Sequence, residues 1–237
     1  IIQKNKLKEA VRLTLEEKKK KQLDAESVEV KIADKNNIAE TLPYLLPLQQ
    51  DDVYRAEMQL FDESHNDYDH AYGKGYMFTN GTGTGKTYTG LGIVKRFIKQ
   101  GKGRVLILTP SSTKVKDWVL DAANLNIKAH NLEEWAKAHK TTATTSKAEG
   151  VVVTTYANFR QNQALLEDEF DLVIYDESHR LLENKKGGET EGSKQHYMLT
   201  NKDEQWAFVR LQTVNQTYQE IQKTRKQYDS EYDKEKE

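Results

Sequence analysis

The chain has 237 residues, of which 36% are hydrophobic and 31% charged, and its net charge is −1 at pH 7. That length holds one large or two small domains with a real core, while the polarity requires much of the chain to lie in solvated helices or ends. No apolar run approaches the roughly 18–20 residues that cross a bilayer, the start Ile1-Ile2-Gln3-Lys4 lacks the apolar stretch of a signal peptide, and the absence of cysteine excludes disulfides and thiolate metal sites.

A cytoplasmic protein with no membrane partner is therefore expected, and the glycosylation-type triplets at Asn80 and Asn215 are chance matches. The near-neutral total shows no overall basic character for a phosphate backbone, although a sum over the chain hides any local patch.

Residues 4–22 read as a charged helix with Leu7, Val11 and Leu15 on one side and Lys18 to Lys21 in its last turn, where cations suit the helix dipole. Val28 to Ile32 alternates like a short strand. Leu42-Pro43 and Leu46-Pro47 punctuate the next segment, which becomes helical from Asp51 to Phe61. From Gly75 to Asp176 short apolar runs at 76–79, 104–109, 151–155 and 172–175 alternate with helical stretches near 86–100, 114–124, 132–140 and 156–168.

Strands alternating with helices predict βαβ units and a parallel sheet. Val105 to Leu108 and Leu172 to Tyr175 are apolar on both faces, as strands covered by helices on both sides must be. After Arg180 the chain is polar with Gly187, Gly188 and Gly192, which reads as a loop. A last amphipathic helix is predicted from about Asp203, with Ala207, Leu211, Val214, Tyr218 and Ile221 spaced at three and four.

The predicted fold class is α/β: a central, mostly parallel sheet flanked by helices. A charged extension over 1–40 precedes the domain built on this sheet at 41–200, and 201–237 is expected to form a C-terminal helix and charged tail.

The strongest chemical signal is Gly81-Thr82-Gly83-Thr84-Gly85-Lys86-Thr87, which follows a predicted strand and opens a predicted helix. Glycines let backbone N–H groups crowd around phosphate oxygens, and the helix directs its positive end at them. In such a P-loop Lys86 bridges the β- and γ-phosphates of ATP and the Thr87 hydroxyl ligates Mg²⁺. The strict spacing asks for glycine at position 80, where this chain has Asn80, a residue that tolerates left-handed backbone angles better than most.

The second signal is Asp176-Glu177-Ser178-His179, at the end of a predicted strand. In a parallel sheet the carboxyl ends of strands converge on one crevice, so Asp176 is placed to hold Mg²⁺ and Glu177 to orient the attacking water.

Together these segments resemble motifs I and II of superfamily 2 helicases of the DExH style, and the resemblance extends over about residues 42 to 180. It implies a RecA-like P-loop NTPase domain. Gln49, with Gln50 as a rival, stands where such proteins carry a glutamine that reads the adenine edge. Leu108-Thr109-Pro110-Ser111-Ser112 is similar to motif Ia, followed by Trp118 as in Swi/Snf-like members, and Val153-Thr154-Thr155-Tyr156 resembles the segment before motif II. In the family these two segments touch the phosphates of the bound strand, which implicates Ser111, Ser112 and Thr155, unless their hydroxyls merely cap the following helices. His179 is implied to couple the ATP site to the next motif.

The family's Ser/Thr-Ala-Thr motif III has only Leu199-Thr200-Asn201 as a poor counterpart, and a second RecA-like domain with its arginine fingers is not found in these residues. The resemblance thus implies the first half of an ATP-driven motor on nucleic acid, double-stranded DNA in preference to RNA, which needs a second RecA-like domain as partner. Among relatives it is most similar to strawberry-notch-like and methylase-associated helicases of phages, mobile elements and DNA-modification systems. An ATP-dependent switch acting on a protein partner is the alternative from another class.

Overall fold

The computed structural model describes residues 16–17, 20–21, 23–61, 74–80, 83–139, 148–162, 165, 169–178 and 207–211. Most of the predicted 4–22 helix and the predicted loop after Arg180 lie outside them, as do Gly81, Thr82, His179 and Leu199-Thr200-Asn201.

The elements in chain order are α1 (Lys35–Thr41), α2 (Pro47–Phe61), β1 (Lys74–Phe78), α3 (Lys86–Lys99), β2 (Val105–Thr109) and α4 (Ser112–Asn124), followed by β3 (Ala129–Asn131), α5 (Leu132–Ala138), β4 (Val151–Thr155), α6 (Tyr156–Gln161), β5 (Leu172–Asp176) and β6 (Ala207–Leu211). The six strands form one sheet in the order β1-β6-β5-β2-β4-β3. Every pairing in it is parallel, as the both-faced apolar runs predict.

Alternation along each strand sorts its side chains into two cores, because successive residues point to opposite faces. Val105, Ile107, Val151, Val153, Leu172, Ile174 and Val209 pack with residues of α1 to α4. Leu106, Leu108, Val152, Val173 and Tyr175 pack with α5 and α6 on the other face. All five residues of β2 are buried, which fits its place between β4 and β5.

Three expectations are corrected. Within the predicted C-terminal helix, which starts near Asp203, Ala207–Leu211 is instead the strand β6, paired with β1 on one side and β5 on the other, and the rest of that helix lies outside the described residues. The three-and-four spacing of Ala207 and Leu211 suits a helix, but the five residues between β1 and β5 gain backbone hydrogen bonds from both neighbours. Val28–Ile32 is not a strand. Its backbone is bound by side chains instead: the Lys31 N–H donates to Asn37 Oδ1, the Asn37 amide donates to the Glu29 carbonyl, and Arg96 donates to the Lys31 carbonyl. Helix α2 starts at Pro47 rather than Asp51, with proline in the first helical position, where its missing N–H costs nothing.

The groups that bind the 28–33 segment belong to a buried ion pair. Arg96 and Glu57 are 0% and 1% exposed, with Nε–Oε1 at 2.5 Å and Nη2–Oε2 at 2.9 Å. Arg96 also donates to Asn37 Oδ1 at 3.0 Å and to Thr41 Oγ1 at 2.6 Å, and Glu57 accepts from the Ala33 N–H at 2.9 Å. The pair joins α1, α2 and the last turns of α3. Removing one partner strands the other charge in the core, so Arg96→Met is expected to cost about 3–5 kcal/mol of unfolding free energy, whereas Arg96→Met with Glu57→Met costs clearly less. Urea unfolding of the three proteins checks this; a double variant no more stable than the single one refutes it.

Candidate functional site

Parallel pairing brings the carboxyl ends of all strands to one edge of the sheet. Phe78 of β1 and Asp176 of β5 both lie level with Leu211 of β6, one on each side. At a strand spacing of about 4.8 Å, β1 and β5 therefore run roughly 10 Å apart, so the loop after β1 and the acid ending β5 face one another across one intervening strand. Thr109 and Thr155 end β2 and β4 in register on the same edge.

Within the glycine-rich loop, Gly83 and Gly85 have φ of +77° and +79°, the left-handed region that side chains disfavour. Gly85 caps α3, and Lys86 and Thr87 open it with half-buried side chains. The Lys86 ammonium donates to the Asn80 carbonyl at 2.9 Å. Asn80 does not take a left-handed angle; its amide instead donates to Asp52 Oδ2 of α2 at 2.7 Å.

Gln49 is held against the same loop. Its amide nitrogen donates to the Thr84 and Gly85 carbonyls at 3.0 and 3.4 Å, and its oxygen accepts from the Leu46 N–H at 2.9 Å. Gln50 turns away and binds the Leu42 and Leu45 carbonyls. Gln49 is thus the glutamine beside the loop, with its amide serving loop geometry in this structure.

Asp176 is buried, and desolvation raises its carboxyl above the usual range. A hydrogen bond from Trp118 opposes that shift, Glu177 adds to it, and Lys114 and Lys86 are near enough to counter it. The Trp118 indole N–H donates to Asp176 Oδ2 at 2.9 Å, and the Tyr156 hydroxyl donates to the Asp176 carbonyl at 2.8 Å. Among the described residues Oδ1 takes no hydrogen bond. Glu177 follows with φ of +53°, an uncommon angle for glutamate that costs about 1–2 kcal/mol and turns the chain sharply at the strand end.

Ser111 caps α4, accepting from the Lys114 N–H at 3.3 Å, and Thr155 caps α6, accepting from the Asn158 N–H at 3.1 Å. Ser112 is the exposed first residue of α4. Capping uses a hydroxyl oxygen as acceptor and leaves its O–H as a donor.

The residues fit a Mg²⁺-bound triphosphate: left-handed glycines open a path to backbone N–H groups at the start of a 14-residue helix, and Asp176 offers an uncommitted carboxylate oxygen. Sequence reasoning placed the loop and the acid but missed Asp52 as the anchor of Asn80, for which it offers no signal. It noted Trp118 without its bond to Asp176.

The family described as the type III restriction enzyme res subunit matches residues 44–199, well over half of the chain. The chain belongs to that family. It is a superfamily 2 helicase-type ATPase domain of RecA-like fold. Its fold is similar to the Sulfolobus solfataricus SWI2/SNF2 ATPase core in complex with dsDNA, with a TM-score of 0.53 at 17% identity over 71% of this chain and 31% of that one. It is also similar to the UvsW helicase from bacteriophage T4, with a TM-score of 0.51 at 14% identity over 82% of this chain and 66% of that one. The chain therefore spans about a third of the first structure and two thirds of the second. No curated protein matches it in sequence. Among the described residues no helix is long and apolar enough to cross a membrane.

A Cβ at Gly85 would overlap the Gln49 amide nitrogen, whereas one at Gly83 meets nothing within 4 Å. Gly85→Ala is expected to weaken nucleotide binding at least tenfold, from left-handed strain plus displacement of Gln49, and Gly83→Ala to cost only the strain of about 1–2 kcal/mol. Adding Gln49→Ala to Gly85→Ala should recover part of the loss. Titration with a fluorescent nucleotide checks the series, and equal effects at the two glycines refute the close-approach argument.

Proposed function

We propose that this domain is the ATP-binding half of a motor that moves on duplex DNA in a phage, mobile-element or DNA-modification setting. The observation that carries the reading is the pairing of the Gly83–Thr87 loop with Asp176-Glu177 across the carboxyl edge of one parallel sheet. Lys86 would lie along the β- and γ-phosphates, and the Thr87 hydroxyl and Asp176 Oδ1 would hold Mg²⁺. The metal supplies neutralisation of the charge that builds on the transferring phosphoryl group. Glu177 would orient water for attack and accept its proton, and His179 would pass the state of this site to the next motif.

Ser111, Ser112 and Thr155 stand at the same edge as O–H donors for strand phosphates. The likeness to a SWI2/SNF2 ATPase core in complex with dsDNA supports duplex DNA over RNA. In this superfamily ATP lies between two RecA-like domains, and the partner domain supplies arginines to the γ-phosphate. An arginine finger is worth about 10³–10⁵ in rate, so these 237 residues alone are expected to turn ATP over only at background rate.

Lys86→Ala should abolish productive nucleotide binding without unfolding the domain, because Lys86 is half-buried at the start of α3 and contributes nothing to either core. Glu177→Gln should hold ATP and not hydrolyse it, and Asp176→Asn should weaken Mg²⁺-dependent binding. Nucleotide titrations and steady-state ATPase assays of the full-length protein, with and without duplex DNA, check these outcomes. Normal hydrolysis by both acid variants overturns the catalytic assignment.

A further inference from the structure

Asp176 is gripped from both layers of the domain. Trp118 belongs to the core between the sheet and α1–α4, is 1% exposed, and donates to the carboxylate at 2.9 Å. Tyr156 belongs to the core on the opposite face, is 4% exposed, and donates to the same residue's carbonyl at 2.8 Å. One bond sets the rotation of the carboxyl group, turning Oδ2 to the indole and Oδ1 away from it. The other fixes the backbone at the point where the chain turns into the left-handed Glu177.

The two donors come from particular places. Trp118 lies seven residues beyond Ser111, two turns into α4, on the buried stripe Val115, Trp118 and Ala122. A helix of 13 residues packed along that stripe moves as one body. Tyr156 is the residue directly after Thr155. Each donor is thus covalently continuous with one of the two segments whose hydroxyls are proposed to meet the bound strand. No loop intervenes in either case.

We propose that Trp118 and Tyr156 are positioning residues for Asp176, and that they join the strand-contacting segments to the metal-holding acid. The proposal rests on the assignment of Asp176, Ser111, Ser112 and Thr155 made under the proposed function. A duplex that shifts the start of α4 or the end of β4 by a few tenths of an ångström moves the indole N–H or the phenol O–H with it. The direction of Asp176 Oδ1 changes accordingly. The nucleic acid therefore acts on metal binding through two hydrogen bonds, one from each face of the sheet.

The test uses Trp118→Phe and Tyr156→Phe in the full-length protein, with Trp135→Phe as a matched indole deletion on α5, where the ring stacks on His139. Binding of a fluorescent ATP analogue is titrated with Mg²⁺, thermal melting is followed in parallel, and duplex affinity and duplex-stimulated ATPase are measured separately. Trp118→Phe is expected to need about tenfold more Mg²⁺ for tight nucleotide binding, the size of one lost hydrogen bond to a charged acceptor, and Tyr156→Phe a few-fold more. Both should bind nucleotide without Mg²⁺, and duplex, as the wild type does, while losing most of the duplex stimulation. Trp135→Phe should match the wild type in Mg²⁺ requirement, duplex affinity and duplex stimulation.

An unchanged Mg²⁺ requirement in folded Trp118→Phe and Tyr156→Phe overturns the proposal. Should the smaller ring of Trp118→Phe prevent folding, Tyr156→Phe, which loses a single oxygen, decides alone: a raised Mg²⁺ requirement supports the proposal and a wild-type one overturns it. A wild type whose ATPase ignores duplex DNA overturns the proposed motor function and the coupling role with it, while the Mg²⁺ titration still decides whether Trp118 and Tyr156 position Asp176.

Discussion

Strand β6 stands between β1 and β5, hydrogen-bonded to both, and that insertion sets the distance between the phosphate loop and the acid that faces it. Were β1 and β5 neighbours, the strands that carry the loop and Asp176 would run about 5 Å apart, leaving little room for a phosphate and a hydrated cation together; with one strand between them they run roughly 10 Å apart. Every other feature of the site inherits this spacing. The parallel sense of all the pairings puts the loop, Asp176, Thr109 and Thr155 on a single edge. An antiparallel strand at any of these places would have sent its end to the opposite side.

The insertion also explains what the sequence conceals. β1, β2, β4 and β5 are legible because each is a short apolar run bordered by a helical stretch, and the two-faced apolarity of Val105–Leu108 already implies burial on both sides. β6 is separated from β5 by a long polar segment and contains Arg210. Its residues match a helical spacing as well as a strand, so periodicity alone cannot decide. The decision is tertiary: the sheet has a gap between β1 and β5, and Ala207–Leu211 fills it. Val28–Ile32 fails for the complementary reason. It alternates like a strand, but Asn37 and Arg96 satisfy its backbone with side chains, and Glu57 takes the N–H of Ala33 just beyond it.

The candidate site divides in the same way. Gly83, Gly85, Lys86 and the Asp176-Glu177 pair are legible as candidates because phosphate binding and metal binding each demand particular residue types at fixed spacing. The residues that hold them are not, since Trp118 reaches Asp176 across 58 positions of sequence and Gln49 reaches Thr84 across 35. A hydrogen bond of that span depends on where a helix packs against a strand end or a loop, and composition carries no record of it. Ser111 and Thr155 show the limit from the other side. Their hydroxyls cap helices, as strand-end hydroxyls commonly do, and the same atoms remain able to donate to a phosphate.

Helix α2 is where these lines of argument meet. Within twelve residues it presents Gln49 to the Thr84 and Gly85 carbonyls, Asp52 to the Asn80 amide, and Val53, Ala56 and Leu60 to the core. Glu57, on the same buried face, pairs with Arg96 near the far end of α3. The helix therefore grips the phosphate loop at both of its ends and the helix that follows the loop. This gives a physical reason why the loop tolerates Asn80 where the usual pattern has glycine. A glycine there supplies conformational freedom; Asn80 does not use a left-handed angle, and its position is fixed from outside by Asp52 while its carbonyl receives Lys86. The loop is held in shape by an adjacent helix instead of by backbone permissiveness alone, and α2 is in turn locked to α3 by a buried ion pair that cannot be opened on one side without stranding a charge.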